Sequence, residues 1–325
     1  MRSVNHRLER KRSCMASLIE RPLRAAILAA AGSSNVQRVV RRYGMALGAR
    51  RFVAGESSAE FLDVARSVNR DGFAVACGIL GENVTRAEEA TDAANTYCEL
   101  LRTFSRDGID ANVAFKLTHV GLDIDPELAY DNATRIAQTA LETNNTMRLD
   151  MEQSSYVDAT LAIYRRLRER FNNVGCVLQS YLHRSESDFA SLAQFEPSVR
   201  FVKGAYLEPS SIACADKRAV DAAYLNLIER SLSSPGFTAI ATHDPAIIDA
   251  AEKIIAREKL PMRNRFEFQM LYGISTPLAK RLVERGYRVR LAVPFGSHWF
   301  PYLMRRLAER PANLAFFLKG AFSRQ

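Results

Sequence analysis

Nowhere in the 325 residues is there an apolar run near the roughly 18 residues that a membrane-spanning helix needs. Cysteine is scarce and odd in number: Cys14, Cys77, Cys98, Cys176 and Cys214 show neither CxxC nor metal-ligand spacing. That argues against a disulfide framework and against a metal site, and leaves free thiols in a reducing cytoplasm as the simplest expectation. Two loops that would announce a nucleotide are also missing. Without GxGxxG or GxxxxGK[ST], neither a dinucleotide fingerprint nor a P-loop has its backbone cradle. Acidic residues are nearly lacking from the first 51 positions, where only Glu9 and Glu20 stand against twelve Lys and Arg. That segment carries a net +10, while the rest of the chain is close to neutral. Its one aromatic is Tyr43 and it holds no nucleic-acid motif, so no nucleic-acid partner is expected. A basic helical cap, a patch for anionic lipid and an Arg-rich targeting peptide all remain open for it. Its one apolar stretch, residues 23–32, is short and alanine-rich, so any lipid contact there is expected to be weak and sensitive to salt.

What is present suits one soluble α/β domain. A chain that is 47% hydrophobic and 25% charged can bury a full core. From residue 72 onward, short apolar or β-branched runs alternate with stretches of helical period. The runs are GFAVACGIL, NVAFKL, MRLDM, VGCVLQSYL, VRFVKG, FTAIATH, RFEFQML and YRVRLAV. Most are near-continuously apolar, as strands covered on both faces of a parallel sheet must be. Between them, Thr85 and Glu88 have capping-box spacing, Gly108 offers a C-terminal stop, and Ser155 and Asp158 offer another helix start. Eight such strands alternating with helices predict a (β/α)8 TIM-like barrel over residues 57–325, behind a basic N-terminal helical extension of residues 1–56. A doubly wound open sheet is the alternative architecture.

A barrel enzyme keeps its chemistry at the C-terminal ends of its strands. Polar side chains sit there in six of the eight runs: Lys116, Asp150, Gln179, Arg200 with Lys203, Thr242 with His243, and Glu267 with Gln269. Charge inside an apolar run is costly unless it is paired or used. After the last run, a helix from about His298 to Arg310 carries the adjacent pair Arg305 and Arg306. Neighbours on a helix project about 100° apart. Such a pair can flank a small anion, with the planar fork that grips a carboxylate by two hydrogen bonds. The plainer reading is a solvated face with an Arg305–Glu309 ion pair.

Six segments, RLDMEQSSYVDATL, VGCVLQSYLHR, RFVKGAYLE, ATHDPAII, FEFQMLYGI and VPFGSHWFPYLMRRLAERPAN, fall in order and resemble the motifs of the proline dehydrogenases, FAD-dependent (β/α)8-barrel enzymes. RRFVAGES at 50–57 resembles the start of their catalytic domain, and the likeness runs to about residue 313. The resemblance implies oxidation of L-proline to pyrroline-5-carboxylate, with electrons passing to FAD and then to a quinone, in proline catabolism. It gives Arg305, Arg306 and Lys116 the substrate carboxylate, with Glu309 steadying the arginine pair and Leu271 lining the ring's apolar side. It makes Asp150 and Arg200 the catalytic pair: Arg200 beside the flavin's reactive nitrogen, Asp150 balancing the cations. Flavin contacts fall to Met151, Gln179, Lys203, Gly204, Ala205, Thr242 and His243. A quinone acceptor implies a cytoplasmic protein that can sit peripherally on the membrane's inner face.

One residue departs from the pattern. Where the family commonly has a tyrosine four residues before the glycine of the VPxG turn, this chain has Ala292 before Gly296. A missing phenol implies a roomier pocket that admits 4-hydroxyproline or another cyclic amino acid, unless Tyr272 or Tyr287 fills the space. A different chemistry also stays open from the residues alone: lysines such as Lys116 and Lys203 at barrel strand ends are where Schiff-base aldolases keep their nucleophile.

Overall fold

The computed structural model describes residues 34–262 and 264–309. Residues 23–32 and Cys14 lie outside them, so the expectations placed there are not addressed by the fold. The chain divides into two compact units, residues 61–293 and a second that joins the segment up to Glu60 with the segment from Pro294 onward.

The larger unit supplies the barrel. Its strands are β1 (Ala74–Ile79), β2 (Ala111–Lys116), β3 (Met147–Asp150), β4 (Val174–Gln179), β5 (Ser198–Val202), β6 (Phe237–Ala241), β7 (Phe266–Leu271) and β8 (Val289–Phe295), the last running into the second unit. They close in sequence order into a parallel barrel, as a right-handed βα repeat must. The open-sheet alternative is therefore wrong. The helices that return the chain are α2 (Ser58–Arg70), α3 (Ala87–Asp107), α4 (Pro126–Glu142), α5 (Val157–Arg168), α6 (Ser185–Ser191), α7 (Lys217–Leu232), α8 (Pro245–Arg257) and α9 (Thr276–Glu284). The smaller unit contributes α1 (Ser34–Leu47) and α10 (Trp299–Glu309).

Local signals decide where the helices begin. Asp125 and Asp244 each accept a hydrogen bond from the backbone two residues on, just before a proline that needs no N–H partner. Asp216 caps α7 in the same way through Ala219. Gly108 ends α3 with φ of 64°, the left-handed stop expected of it. The Thr85–Glu88 capping box does not form. Arg86 remains extended at the N-cap, so α3 starts one residue too late for the Thr85 hydroxyl to reach it. Nor do Ser155 and Asp158 cap α5. A 3-10 turn over Ser154–Tyr156 leads straight into the helix, leaving no extended cap residue.

In the smaller unit the strap after α1 pairs with the chain beyond Val293: Ala54 N–H donates to the Pro294 carbonyl (2.8 Å) and Gly296 N–H to that of Gly55 (3.0 Å). Buried Trp299 donates its indole N–H to Glu56 Oε1 at 2.6 Å. Glu60 Oε2 accepts the backbone N–H groups of Glu56 and Ser57, and Oε1 pairs with Arg50. Those backbone donors, with the Arg50 guanidinium, hold its carboxyl down at about 2.

Candidate active site

Strand β7 shows how an apolar-looking run can carry polar cargo. Phe266, Phe268 and Met270 are buried on its outer face, where Phe266 and Phe268 pack on Tyr287. Glu267, Gln269 and Leu271 alternate with them toward the barrel interior. Glu267, 2% exposed, accepts from Gln269 Nε2 (2.6 Å) and Arg290 Nε (2.8 Å) on one oxygen, and from Arg288 Nε (3.3 Å) on the other. Burial acts to raise its pKa, but the charge of Arg290 and hydrogen bonds from Arg290 and Gln269 outweigh it, so the carboxyl ends below its ordinary value. Arg148, wholly interior, donates to the carbonyls of Cys176 (3.0 Å) and Ser198 (3.2 Å) and to the Ser198 hydroxyl. Burial and then the charge of Arg200 push it down to about 10, still cationic at neutral pH.

Higher in the barrel, Arg200 bridges two strands. One nitrogen pairs with Asp150, another lies 3.5 Å from Gln269 Oε1. Its Nε is buried without an acceptor among the described residues. Asp150 stands in register with Lys116 on the neighbouring strand, yet Lys116 pairs with Glu82, from the loop after β1. Gln179, 2% exposed, donates its amide to the Glu152 carbonyl at 2.7 Å. Met151 and Thr242 are buried, and Thr242 Oγ1 accepts from Asp244 N–H. His243 Nε2 accepts the Leu271 N–H at 3.0 Å, which in a neutral ring leaves the proton on Nδ1. Lys203 is held between Asp221 (2.6 Å) and Asp244 (3.1 Å). Gly204 has φ of +121°, and a Cβ there would lie 2.2 Å from the Tyr181 ring; Ala205 beside it is exposed. The barrel thus brings Lys116, Asp150, Met151, Gln179, Arg200, Lys203, Gly204, Ala205, Thr242, His243 and Leu271 onto or just beyond its strands.

Several groups at this end carry no signal in the sequence. Buried Glu152 accepts from the hydroxyl (2.8 Å) and N–H of Thr118, and burial raises its pKa. Glu208 takes the N–H and hydroxyl of Ser154 on its two oxygens (2.7 and 2.6 Å), tying the loop after β5 to the loop after β3. Both residues lie in loops, where no periodicity marks them. Ala292 is the middle residue of β8, in register with Leu271, and its carbonyl accepts from Tyr272 N–H at 3.0 Å. Of the two candidate tyrosines, Tyr287 does not replace the missing phenol. Tyr287 is packed against the outer-face phenylalanines, and Tyr272 lines a cleft with Asp63, Val64 and Ser67 of helix α2.

Arg305 and Arg306 belong to α10, in the smaller unit. Arg305 is exposed; Arg306 is half-buried, its guanidinium 5.3 Å from the Tyr302 ring centroid. Glu309 ends the helix, and its side chain lies outside the described residues.

A closed (β/α)8 barrel with paired charges at its strand ends defines an enzyme scaffold. The family model described as proline dehydrogenase matches residues 61–319. Proline dehydrogenase of Deinococcus radiodurans is 40% identical over 308 residues, which cover 93% of this chain and 99% of that one. Proline dehydrogenase 1 of Bacillus subtilis strain 168 is 38% identical over 298 residues, 92% of this chain and 98% of the other. Among solved structures, proline utilization A from Bdellovibrio bacteriovorus, inactivated by N-propargylglycine, superposes with a TM-score of 0.76 at 27% identity. That match takes in 82% of this chain but 33% of the other, so the chain spans about a third of that larger protein. The chain belongs to the proline dehydrogenase family.

Proposed function

We propose that this protein oxidises L-proline to pyrroline-5-carboxylate with FAD as the acceptor, and that a quinone takes the electrons onward. The reading is carried by one observation: Arg200, deep in the barrel, is held by Asp150 on one side and faces Gln269 on the other, with its Nε lacking a protein acceptor among the described residues. A buried donor without a partner is costly, and a bound cofactor satisfies it. The residues present suit a flavin in two further ways. Gly204 offers a backbone free of Cβ, and the ends of β4 and β6 carry the buried polar side chains of Gln179 and Thr242. When bound, FAD supplies the ring that accepts the hydride from the substrate's C5.

The chain's own residues then divide the work. Arg200 presents a fixed positive charge where negative charge develops, in a site that needs no reorganisation at that moment. Asp150 fixes that guanidinium and offsets its charge. Lys203, Gly204, Ala205, Met151, Gln179, Thr242 and His243 hold the cofactor. Arg305, Arg306 and Lys116 take the substrate carboxylate, Glu309 steadies the arginine pair, and Leu271 lines the apolar side of the ring. We assign residues 57–325 to the catalytic domain and residues 1–56 to the basic extension. Adding L-proline without oxygen to the purified, yellow protein is expected to bleach it. A colourless protein whose lysine is trapped by borohydride with a carbonyl substrate would overturn this reading in favour of an aldolase.

The carboxylate role predicts that Arg305→Lys raises KM about tenfold, with kcat within about twofold, because the charge survives but the two-pronged grip does not. Steady-state kinetics decides it, and an unchanged KM removes Arg305 from the substrate. Ala292 supports a second substrate. With the Tyr287 phenol packed on the outer face, the pocket accepts trans-4-hydroxyproline, and the ratio of kcat/KM for proline over hydroxyproline is expected to stay within about tenfold, as one or two lost contacts allow. Ala292→Tyr should widen that ratio, and a several-hundredfold preference for proline in the unaltered protein would end the idea. For the acceptor, turnover with a soluble quinone analogue is expected. The basic extension should bring the protein down with anionic vesicles at low salt and release it at high salt; sedimentation unaffected by salt or by removing residues 1–33 would leave it a cap.

A further inference from the structure

Glu267 and Gln269 have no part in the chemistry assigned so far, yet they form the buried connection between the barrel floor and Arg200. We propose that they are positioning residues for Arg200: the Glu267 carboxylate dictates which end of the Gln269 amide meets the guanidinium. This deepens the role given to Arg200 and rests on it.

The chemistry of the three side chains forces the orientation. A carboxylate only accepts hydrogen bonds, a guanidinium only donates them, and a primary amide has one end of each kind. Gln269 stands between the two. Its Nε2 donates to Glu267 Oε1 at 2.6 Å, and its Oε1 lies 3.5 Å from Arg200. Turned by 180°, the amide would set oxygen against carboxylate and N–H against N–H in a place 3% exposed, with both mismatches away from water. The carboxylate itself is held on both oxygens. Arg290 holds it at 2.8 Å while donating to the Val75 carbonyl at 2.8 Å, and Arg288 binds the other oxygen. The relay thus runs from β8 through β7 to Arg200 on β5, which ends on Asp150 of β3. At 3.5 Å the last link is long, so Gln269 acts on Arg200 less as a strong hydrogen bond than as an oriented carbonyl dipole. Two acceptors on different strands leave the guanidinium plane one resting orientation, the preorganisation that electrostatic catalysis requires.

A purely structural network predicts something else: loss of stability on mutation without a specific signature at the cofactor. Gln269→Met separates the two, because it keeps the side chain's length and leaves the Glu267–Arg290 pair intact. In flavin-replete Gln269→Met, kcat is expected to fall about tenfold with KM within about twofold, and the flavin's midpoint potential should shift to more negative values. In the double variant with Arg200→Met there should be no further loss, since Gln269 acts through Arg200. If the two losses multiply, or if the single variant keeps full kcat and an unshifted potential, the proposal is wrong. Should Gln269→Met fail to retain flavin, Gln269→Asn takes its place, since it keeps the amide but withdraws it by one methylene. The same fall in kcat and the same shift in potential are then expected, and their absence again overturns the relay. Glu267→Gln lets the amide settle either way and should reproduce part of the potential shift; none at all in a folded protein would count against the relay. An unaltered protein without flavin, or a fully active Arg200→Met, would instead sink the underlying assignment. An impaired Arg200→Met beside an intact Gln269→Met would sink only this inference.

Discussion

Arg200→Met is expected to lower kcat by about 100-fold while leaving KM for proline within about threefold, the magnitude seen when one preorganised donor to developing charge is removed. Methionine matches the arginine stem in length and polarizability but carries neither the charge nor the hydrogen-bond donors, so packing is little altered. Two consequences follow from the partners Arg200 leaves behind. Asp150 loses its paired cation and is left as a partly buried carboxylate. Arg148 loses a like charge that helps to depress its own pKa, so its cationic form, already the state at neutral pH, is held more firmly. The net cost to stability is therefore expected to be small next to the cost to turnover. Stopped-flow reduction of the flavin by proline separates the two: a slow reductive half-reaction in a protein with unchanged melting temperature is the expected result. A variant that reduces its flavin at the original rate would remove Arg200 from the chemistry.

Legibility of this chain differed by the kind of signal. The barrel could be read because each strand had to be apolar on both faces, and every one of the eight runs holds a strand at its expected place. Strand-end residues were legible for the related reason that Lys116, Asp150, Arg200 and Gln269 interrupt such runs, where uncompensated charge is rare. Their pairing was not. Lys116 pairs with Glu82 although Asp150 stands opposite in register. That choice depends on the path of the loop after β1, which no periodicity encodes. Glu152 and Glu208 were missed because loop carboxylates normally face water; here one is buried on Thr118 and the other clamps Ser154. Both helix starts expected from the sequence failed, at Thr85 by a one-residue shift and at Ser155 through a 3-10 turn, whereas Asp-Pro at Asp125 fixes both the cap and the first turn in the structure. Roles are a different matter from places. What Lys203 or His243 does for a ligand came from family likeness, since their partners within the protein, two aspartates and a backbone N–H, would serve a structural residue equally well.

Gly204→Ala tests the cofactor cradle most severely. At φ of +121° the backbone occupies a region that only glycine adopts without strain, and any other residue pays about 1–3 kcal/mol there. A second, independent cost comes from Tyr181. The added methyl would sit 2.2 Å from its ring, a distance at which ring or backbone must move, and overpacking of this sort costs about 1–3 kcal/mol more. The Tyr181 backbone has little freedom to yield, because its N–H donates to the Lys203 carbonyl and its carbonyl accepts from Cys214. The backbone displacement is therefore expected to pass into Lys203 and Ala205, both assigned to the flavin. Together these set a loss of about 5–10 °C in melting temperature for a domain of this size, accompanied by protein that purifies largely colourless and recovers partial activity when FAD is added in excess. Tyr181→Ala in the same chain removes the overlap but not the dihedral strain, so the double variant should regain part of the lost stability and part of the flavin. If Gly204→Ala melts with the parent and stays yellow, the left-handed turn after β5 is not what the sequence builds, and the cradle has to be sought elsewhere on the barrel's rim.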